Sequence, residues 1–298
     1  MSVQGKGVAV LGGDRRMAET VPFFLQAGAV VRLVGHEWED RLAAVQVCTS
    51  AAEALRGAHV ALLPVEGVNE DGRINTVIPD YTCSIDVDAL KQMARDAVVF
   101  SGLANAYLRR ICAEAGRPLI IYREADEFAI WNAVPSAEGA IQMAMEATPF
   151  TLFGSRSLVV GFGRTGRTIA MLLRGLCSNV SVAARSALDH ARIWASGHRP
   201  VEWERLPEAV AESDVIFNTV PALVLTREVL AAAPSHAVII DIASAPGGTD
   251  FEAARELGLT AKLAPGLPGI VAPVTAGKLI AELVIRHLTM GTREEEPR

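Results

Sequence analysis

Leu158-Val159-Val160-Gly161-Phe162-Gly163-Arg164-Thr165-Gly166-Arg167 joins three apolar residues suited to a buried strand to a G-x-G-x-x-G turn and a helix-forming run. Strand, glycine turn and helix in that order make the opening of a dinucleotide-binding unit. Gly161 suits the tight turn, Gly163 lets the backbone approach a pyrophosphate, and Gly166 lets the helix lie close on the strand. The N–H groups that open the helix, around Arg164 and Thr165, then point at the phosphates. The context agrees on both sides. Ile169-Ala170-Met171-Leu172-Leu173 continues as a helix, and Val180-Ser181-Val182-Ala183-Ala184 resumes as a strand.

The end of that second strand bears on which dinucleotide is taken. An NAD site usually places an Asp or Glu about 20 residues beyond the fingerprint, where it accepts a hydrogen bond from the ribose 2′-hydroxyl. Ala184 stands there, followed by Arg185 and Ser186. With no carboxylate to repel a 2′-phosphate, and a guanidinium and a hydroxyl placed to bind one, the sequence predicts NADP(H) over NAD(H).

Outward from this unit, 298 residues suggest two domains, each able to bury its own core. The net charge of −6 offers no general attraction to nucleic acid or anionic membrane, so an anionic ligand must be held by local basic groups. Cys48, Cys83, Cys112 and Cys177 are scattered without a C-x-x-C pair, which suggests reduced thiols in a cytosolic protein and no metal site. The absence of a signal-like N-terminus and of a long apolar run argues against secretion and membrane spanning.

The N-terminal half repeats the plan. Gly7–Leu11 reads as a strand, Gly12-Gly13-Asp14-Arg15-Arg16 as a turn, Met17–Gln26 as a helical stretch and Val30–Val34 as a second strand. Its turn lacks the spaced glycines and puts Asp14 where a pyrophosphate would be repelled. The half is therefore expected to be Rossmann-like without a nucleotide. Arg15 and Arg16 are candidates for an anionic substrate, or plain surface arginines. Further strands fall at 59–64, 97–102 and 118–123, with Glu66–Ser84 expected as a long loop over a cleft. Ser101, Asn105 and Arg123 gain weight as site candidates because they follow strand ends.

A turn at 132–135 with a helix start at Ser136 is expected to begin a connecting helix over 136–149. In its first turn Glu138 lies at the mouth of the cleft or simply complements the helix dipole. Strands follow at 200–203, 214–220, 237–242 and 260–264. Asn218-Thr219-Val220-Pro221 and the stretch from Asp241 through Ala243 to Gly248 mark strand ends where a nicotinamide is expected to rest. Pro265–Gly269 reads as a stiff loop. The helix over 274–290 is expected to cross back and complete the first domain. The predicted architecture is α/β, with two Rossmann-like doubly wound parallel-sheet domains, 1–135 and 150–272, joined by two helical crossings with a cleft between them.

Five stretches are similar to the A subunits of dipicolinate synthase from spore-forming bacteria. They are Val10–Arg16, Phe100–Leu108, Gly161–Gly166, Ala245–Phe251 and Ala264–Pro273, and the resemblance runs from about Val8 to about Leu288. It implies a cytoplasmic enzyme of the sporulating mother cell, working with a flavoprotein-like B subunit in homo- and hetero-oligomers. The implied reaction makes dipicolinate from the dihydrodipicolinate or hydroxy-tetrahydrodipicolinate of the lysine pathway. Two ring carboxylates call for bidentate cations, for which Arg15, Arg16 and Arg123 are the candidates. Glu138, Glu124 and Asp126 are the nearest loop carboxylates for acid–base work, with Asn105 beside them as a polar candidate. Two other readings stay open: a nucleotide-binding scaffold or sensor whose partner does the chemistry, and an NADP-linked 2-hydroxy acid or amino acid dehydrogenase.

Overall fold

Strand β1 (Gly7–Leu11) is buried along its whole length and alternates its side chains between two cores. Ala9 and Leu11 pack with Leu55, Leu63 and Leu90, whereas Val8 and Val10 pack with Phe24, Phe100 and Tyr122. Burial on both faces is what an apolar run without polar alternation encodes, and it requires a parallel sheet covered on each side. The computed structural model describes residues 3–38 and 44–290. The chain divides into two compact units, Met1–Ala129 with Ala272–Arg298, and Ile130–Val271.

In the first unit β1 is followed by α1 (Arg15–Ala18), α2 (Val21–Gln26), β2 (Val30–Val34), β3 (Val45–Val47), α3 (Ala51–Leu55) and β4 (Val60–Leu62). Then come β5 (Arg73–Ile74), β6 (Cys83–Ser84), α4 (Val87–Lys91), β7 (Val98–Ser101), α5 (Ala106–Glu114) and β8 (Leu119–Ile121). Its six-stranded sheet has the order β3-β2-β1-β4-β7-β8, with every pairing parallel. The second unit runs through α6 (Asp126–Ala147), β9 (Arg156–Val160), α7 (Arg164–Gly175), β10 (Asn179–Ala184), α8 (Ala187–Ala195) and β11 (Arg199–Glu202). It continues with α9 (Leu206–Ala211), β12 (Val215–Asn218), α10 (Arg227–Leu230), β13 (Val238–Asp241), α11 (Phe251–Glu256), β14 (Thr260–Leu263) and α12 (Leu267–Val271). The second sheet, β11-β10-β9-β12-β13-β14, repeats the order of the first and is also parallel throughout. In each sheet the order reverses at the first strand, which places the ligand-binding crevice of such a fold at the carboxyl ends of β1 and β9.

The last helix, α13 (Pro273–Met290), belongs to the first unit, where Ile280, Ala281, Val284 and Leu288 complete the core around Val8, Val10 and Phe24. The other change of unit falls inside α6. Phe128 sits in the first core and Ala137, Ala140 and Ala144 in the second.

Several local expectations are corrected. Ser136 does not start a helix, because α6 is continuous from Asp126 and carries Pro135 inside it. Proline there cannot donate to the carbonyl four residues back, and the neighbouring Ser136 hydroxyl donates to Asn132 O at 2.7 Å, so the turn stays closed. Glu138 consequently lies well within a helix, not in its first turn. The helical stretch expected at 17–26 is two short helices, and residues 267–269 of the expected stiff loop belong to helix α12. Glu66–Ser84 is not simply a loop, since β5 and β6 pair as an antiparallel hairpin.

Among the described residues no helix is long and apolar enough to cross a membrane, and no group of three or more His, Cys, Asp or Glu side chains is placed to hold a metal ion. Cys48, Cys83 and Cys112 are free and buried, and Cys177 is free and exposed.

Candidate functional site

At the carboxyl end of β9, Gly161 takes φ +97°, a backbone value that side chains oppose. A Cβ at Gly166 would come 2.2 Å from Gly161 O, so α7 approaches the turn this closely only without a side chain there. At Gly163, in contrast, an added Cβ meets nothing within 4 Å. Gly163 is the N-cap of α7 and no side chain caps that helix, which leaves its first-turn N–H groups open to an anion. A cavity of about 750 Å³ opens in front of them, within the roughly 300–1,000 Å³ usual for cofactor sites. These features fit a dinucleotide pyrophosphate. Gly161, Gly163, Arg164, Thr165 and Gly166 line the cavity from the turn, Arg185 from beyond β10, Thr219, Val220 and Pro221 from beyond β12, and Ala243 from beyond β13.

Ser186 is absent from that wall. Its hydroxyl caps α8, accepting the Asp189 N–H at 3.0 Å and donating to the Asp189 carboxylate at 2.8 Å, so it is committed to the helix start. The expectation of a wall without a carboxylate is also corrected, because Asp189, just inside α8, lines the cavity. Two guanidinium groups offset its charge, Arg167 at 3.4 Å and Arg192 at 3.5 Å. Arg167 is itself tethered, donating to Phe162 O at 2.9 Å and lying over the Phe162 ring. Arg185 is held differently. Its guanidinium lies 4.7 Å from the ring centroid of Trp203, and among the described residues it makes no hydrogen bond or ion pair. Four arginines, Arg164, Arg167, Arg185 and Arg192, thus line the cavity with one acidic side chain.

The loops facing the turn are set by a buried carboxylate. Asp241 ends β13 with no solvent exposure and accepts hydrogen bonds from Asn218 Nδ2 and Gly248 N, both at 3.0 Å, and from Thr249 Oγ1 at 2.6 Å. Its other oxygen accepts the Ala243 N–H at 3.0 Å. Asn218, buried at the end of β12, accepts the Val220 N–H. Thr219 Oγ1 donates to Val160 O at 2.9 Å, fastening the β12 loop to β9. Sequence reasoning marked these strand ends but missed Asp241 and Asn218 as the groups that shape them. Two adjacent strands each ending in a buried amide or carboxylate are the signal that was available.

The first unit treats its corresponding turn otherwise. Asp14 caps α1 and holds the Arg16 guanidinium through Nε at 2.9 Å. Arg16 is only 5% exposed; burial opposes its charge, but the hydrogen bond and charge of Asp14 prevail and raise its pKa. It is therefore an internal counter-ion, not a group presented to substrate. The Gly13 N–H is given to Asn75 O at 2.6 Å, so residues from 66–84 occupy the carboxyl end of β1. Ser101 is buried and donates to Leu103 O at 2.6 Å. Asn105 caps α5 through Leu108 N and donates to Val68 O, which commits both ends of its amide. These three candidates are structural in this geometry. Arg15 and Arg123 remain exposed after β1 and β8. Arg15 meets only Glu19, at 3.4 Å, and Arg123 makes no hydrogen bond or ion pair among the described residues. Glu124 lies 3.9 Å from Arg109, and Asp126 and Glu138 are exposed on α6. Glu138, the one of these carboxylates within the second unit, does not line the cavity at Gly163.

Residues 7–123 match the family described as the N-terminal domain of the dipicolinate synthase A subunit, and residues 129–247 match the NAD-binding domain of D-isomer specific 2-hydroxyacid dehydrogenases. The A subunit of dipicolinate synthase from Bacillus subtilis (strain 168) is 38% identical over 292 residues, 98% of each chain. The solved structure of the corresponding A subunit from Bacillus halodurans is 36% identical with a TM-score of 0.88, each chain covered in full. A transhydrogenase from Sinorhizobium meliloti shares the fold alone, at 16% identity, a TM-score of 0.67, and coverage of 94% of this chain and 92% of that one. With a relative this similar along almost its whole length, and a nicotinamide-type nucleotide domain behind Gly161, the chain belongs to the family of dipicolinate synthase A subunits.

Proposed function

We propose that the chain is an NADP(H)-dependent oxidoreductase, the A component of a dipicolinate synthase that works with a flavoprotein-like B subunit in the cytoplasm of a sporulating mother cell. Its substrate is dihydrodipicolinate, or hydroxy-tetrahydrodipicolinate that is first dehydrated. The observation that carries the reading is the cavity at Gly163, where uncapped helix N–H groups and the Arg185 guanidinium open onto a wall whose one carboxylate, Asp189, is already paired with Arg167 and Arg192. A 2′-phosphorylated dinucleotide supplies the matching negative charge. The bound nicotinamide would take the hydride that the ring gives up. The chain's own work is to hold the pyrophosphate on the amides of α7, to keep the β12 and β13 loops fixed through Asn218 and Asp241, and to orient a dicarboxylate. For the two carboxylates Arg15 and Arg123 are the proposed partners, since Arg16 is spent on Asp14.

Two experiments test this. In the first, purified chain, B subunit, NADP and freshly made pathway intermediate are mixed and dipicolinate absorbance is followed; formation that depends on the chain is expected, and none with both proteins folded overturns the reading. In the second, Arg185→Ala is titrated with NADPH by nicotinamide fluorescence. Loss of a charge-assisted contact of about 1.5–3 kcal/mol weakens binding about 10- to 150-fold, and an unchanged affinity removes the NADP assignment.

A second reading is favoured by one observation. Glu138, the acid–base candidate that shares the second unit with the nucleotide turn, does not line the cavity, which suits a scaffold or sensor whose partner performs the chemistry. Deuteride transfer from labelled substrate to the nicotinamide, stereospecific and dependent on the chain, separates the two. Its occurrence excludes the scaffold.

A further inference from the structure

The geometry points to Trp203 as the positioning residue for cofactor choice, acting by holding the Arg185 guanidinium ready for a 2′-phosphate; this rests on the NADP reading above. Strands β10 and β11 run parallel with Ala184 opposite Glu202, so the next residues of each, Arg185 and Trp203, leave the sheet edge side by side. The guanidinium lies 4.7 Å from the indole centroid, and both residues line the cavity. An arginine over an indole face is attracted electrostatically, and such a contact takes up none of the guanidinium N–H donors in hydrogen bonds. Arg185 spends none of those donors within the described residues. The acid nearest in sequence, Asp189, is occupied by Arg167, Arg192 and the Ser186 hydroxyl.

Each part has a consequence. Without the indole, Arg185 is a flexible exposed side chain that must be ordered when phosphate arrives, and that entropy is lost from binding. With the indole, the cost is met in the free protein. Because the 2′-phosphate is absent from NAD(H), preorganising Arg185 strengthens one dinucleotide and leaves the other alone. Trp203 therefore governs a ratio of affinities more than an affinity.

The test measures NADPH and NADH dissociation constants by nicotinamide fluorescence on the full-length wild type, Trp203→Ala, Trp203→Phe, Arg185→Ala and the Arg185→Ala/Trp203→Ala pair. Trp203→Ala is expected to weaken NADPH about 3- to 30-fold, the range a cation–π contact commands, with NADH unchanged. Trp203→Phe keeps a ring face and most of the preference. The double variant is no worse than Arg185→Ala alone, since the indole acts only through the guanidinium. If Trp203→Ala fails to fold, Trp203→Leu, with apolar bulk and no ring face, should show the same selective loss. Equal weakening of both nucleotides overturns the proposal, because the indole then serves a group they share, and so do losses that multiply in the double variant. A wild type that binds both equally, with Arg185→Ala changing neither, sinks the NADP reading itself. Selectivity lost in Arg185→Ala but kept in both Trp203→Ala and Trp203→Leu sinks only the role of Trp203.

Discussion

A methyl group added at Gly163 or at Gly166 separates the two duties that glycine has in the nucleotide turn. At Gly166 the methyl would meet Gly161 O at 2.2 Å, backbone against backbone, so α7 must move off the strand. Gly166→Ala is expected to destabilise the protein by about 1–3 kcal/mol, the usual effect of overpacking, read from urea unfolding. At Gly163 the methyl meets no protein atom within 4 Å, and stability should not change. Both variants should bind NADPH about tenfold or more weakly, since one phosphate contact to an open amide is worth about 1.5–3 kcal/mol. Equal destabilisation by both would contradict the assignment of open space in front of Gly163. The spacing of the glycines was legible in the sequence because each acts on its near neighbours. The use of Ser186 was not: a Ser before a helix, three residues ahead of an acid, serves equally as an N-cap, and Asp189 took the hydroxyl.

Helix α13 lies far along the chain from β1 yet supplies part of its cover. Ile280 is 1% exposed, among Val8, Val10 and Phe24. Ile280→Ala should cost about 2–5 kcal/mol, as truncation of a buried Ile does when its surroundings cannot collapse. Hydrogen exchange locates the effect: amides of β1 and β4 should lose protection while those of β9 and β12 keep theirs. Uniform loss across both sheets would deny that α13 belongs to the first unit. The strands were legible as apolar runs ended by turn residues, and the helical character of 274–290 came from its amphipathic period. Helix α6 was misread at Pro135, because proline is a sound sign of a boundary unless packing holds the turn. Here Pro135 is buried and Ser136 bridges back to Asn132 O.

For the molecule as a whole, a charge of −6 coexists with a cavity walled by four arginines, so attraction for an anionic cofactor is local. Buried and half-buried histidines set its response to acid. Burial lowers the pKa of His36 and of His287, and burial with the nearby Arg174 charge lowers that of His198. Below about pH 6.5 the unfolded chain takes up protons on these rings that the folded chain refuses, so stability falls as pH drops through that range. Asp214 adds a second window. The Arg156 hydrogen bond holds its carboxylate well below the usual range, against the opposing effect of burial, and His236 donates to it as well. Its contribution is present above about pH 4 and is lost in stronger acid. Thermal scans at constant ionic strength should show Tm falling from about pH 7.5 to about pH 5 and again below about pH 4, with the first fall smaller in His198→Gln. A flat Tm across the first of these ranges would contradict the burial of these rings.

By itself the sequence determined the two parallel-sheet units, the nucleotide turn at Gly161–Gly166 and the family, because buried strands, glycine turns and helix starts are written in residues a few positions apart. Only the tertiary structure decided which side chains are free to meet a ligand. Arg16 and Arg185 are equally plausible as letters, yet the first is folded against Asp14 and the second laid on Trp203, 18 residues away. That difference arises from strand register and from which acid each guanidinium finds within reach, and both are properties of the packed chain.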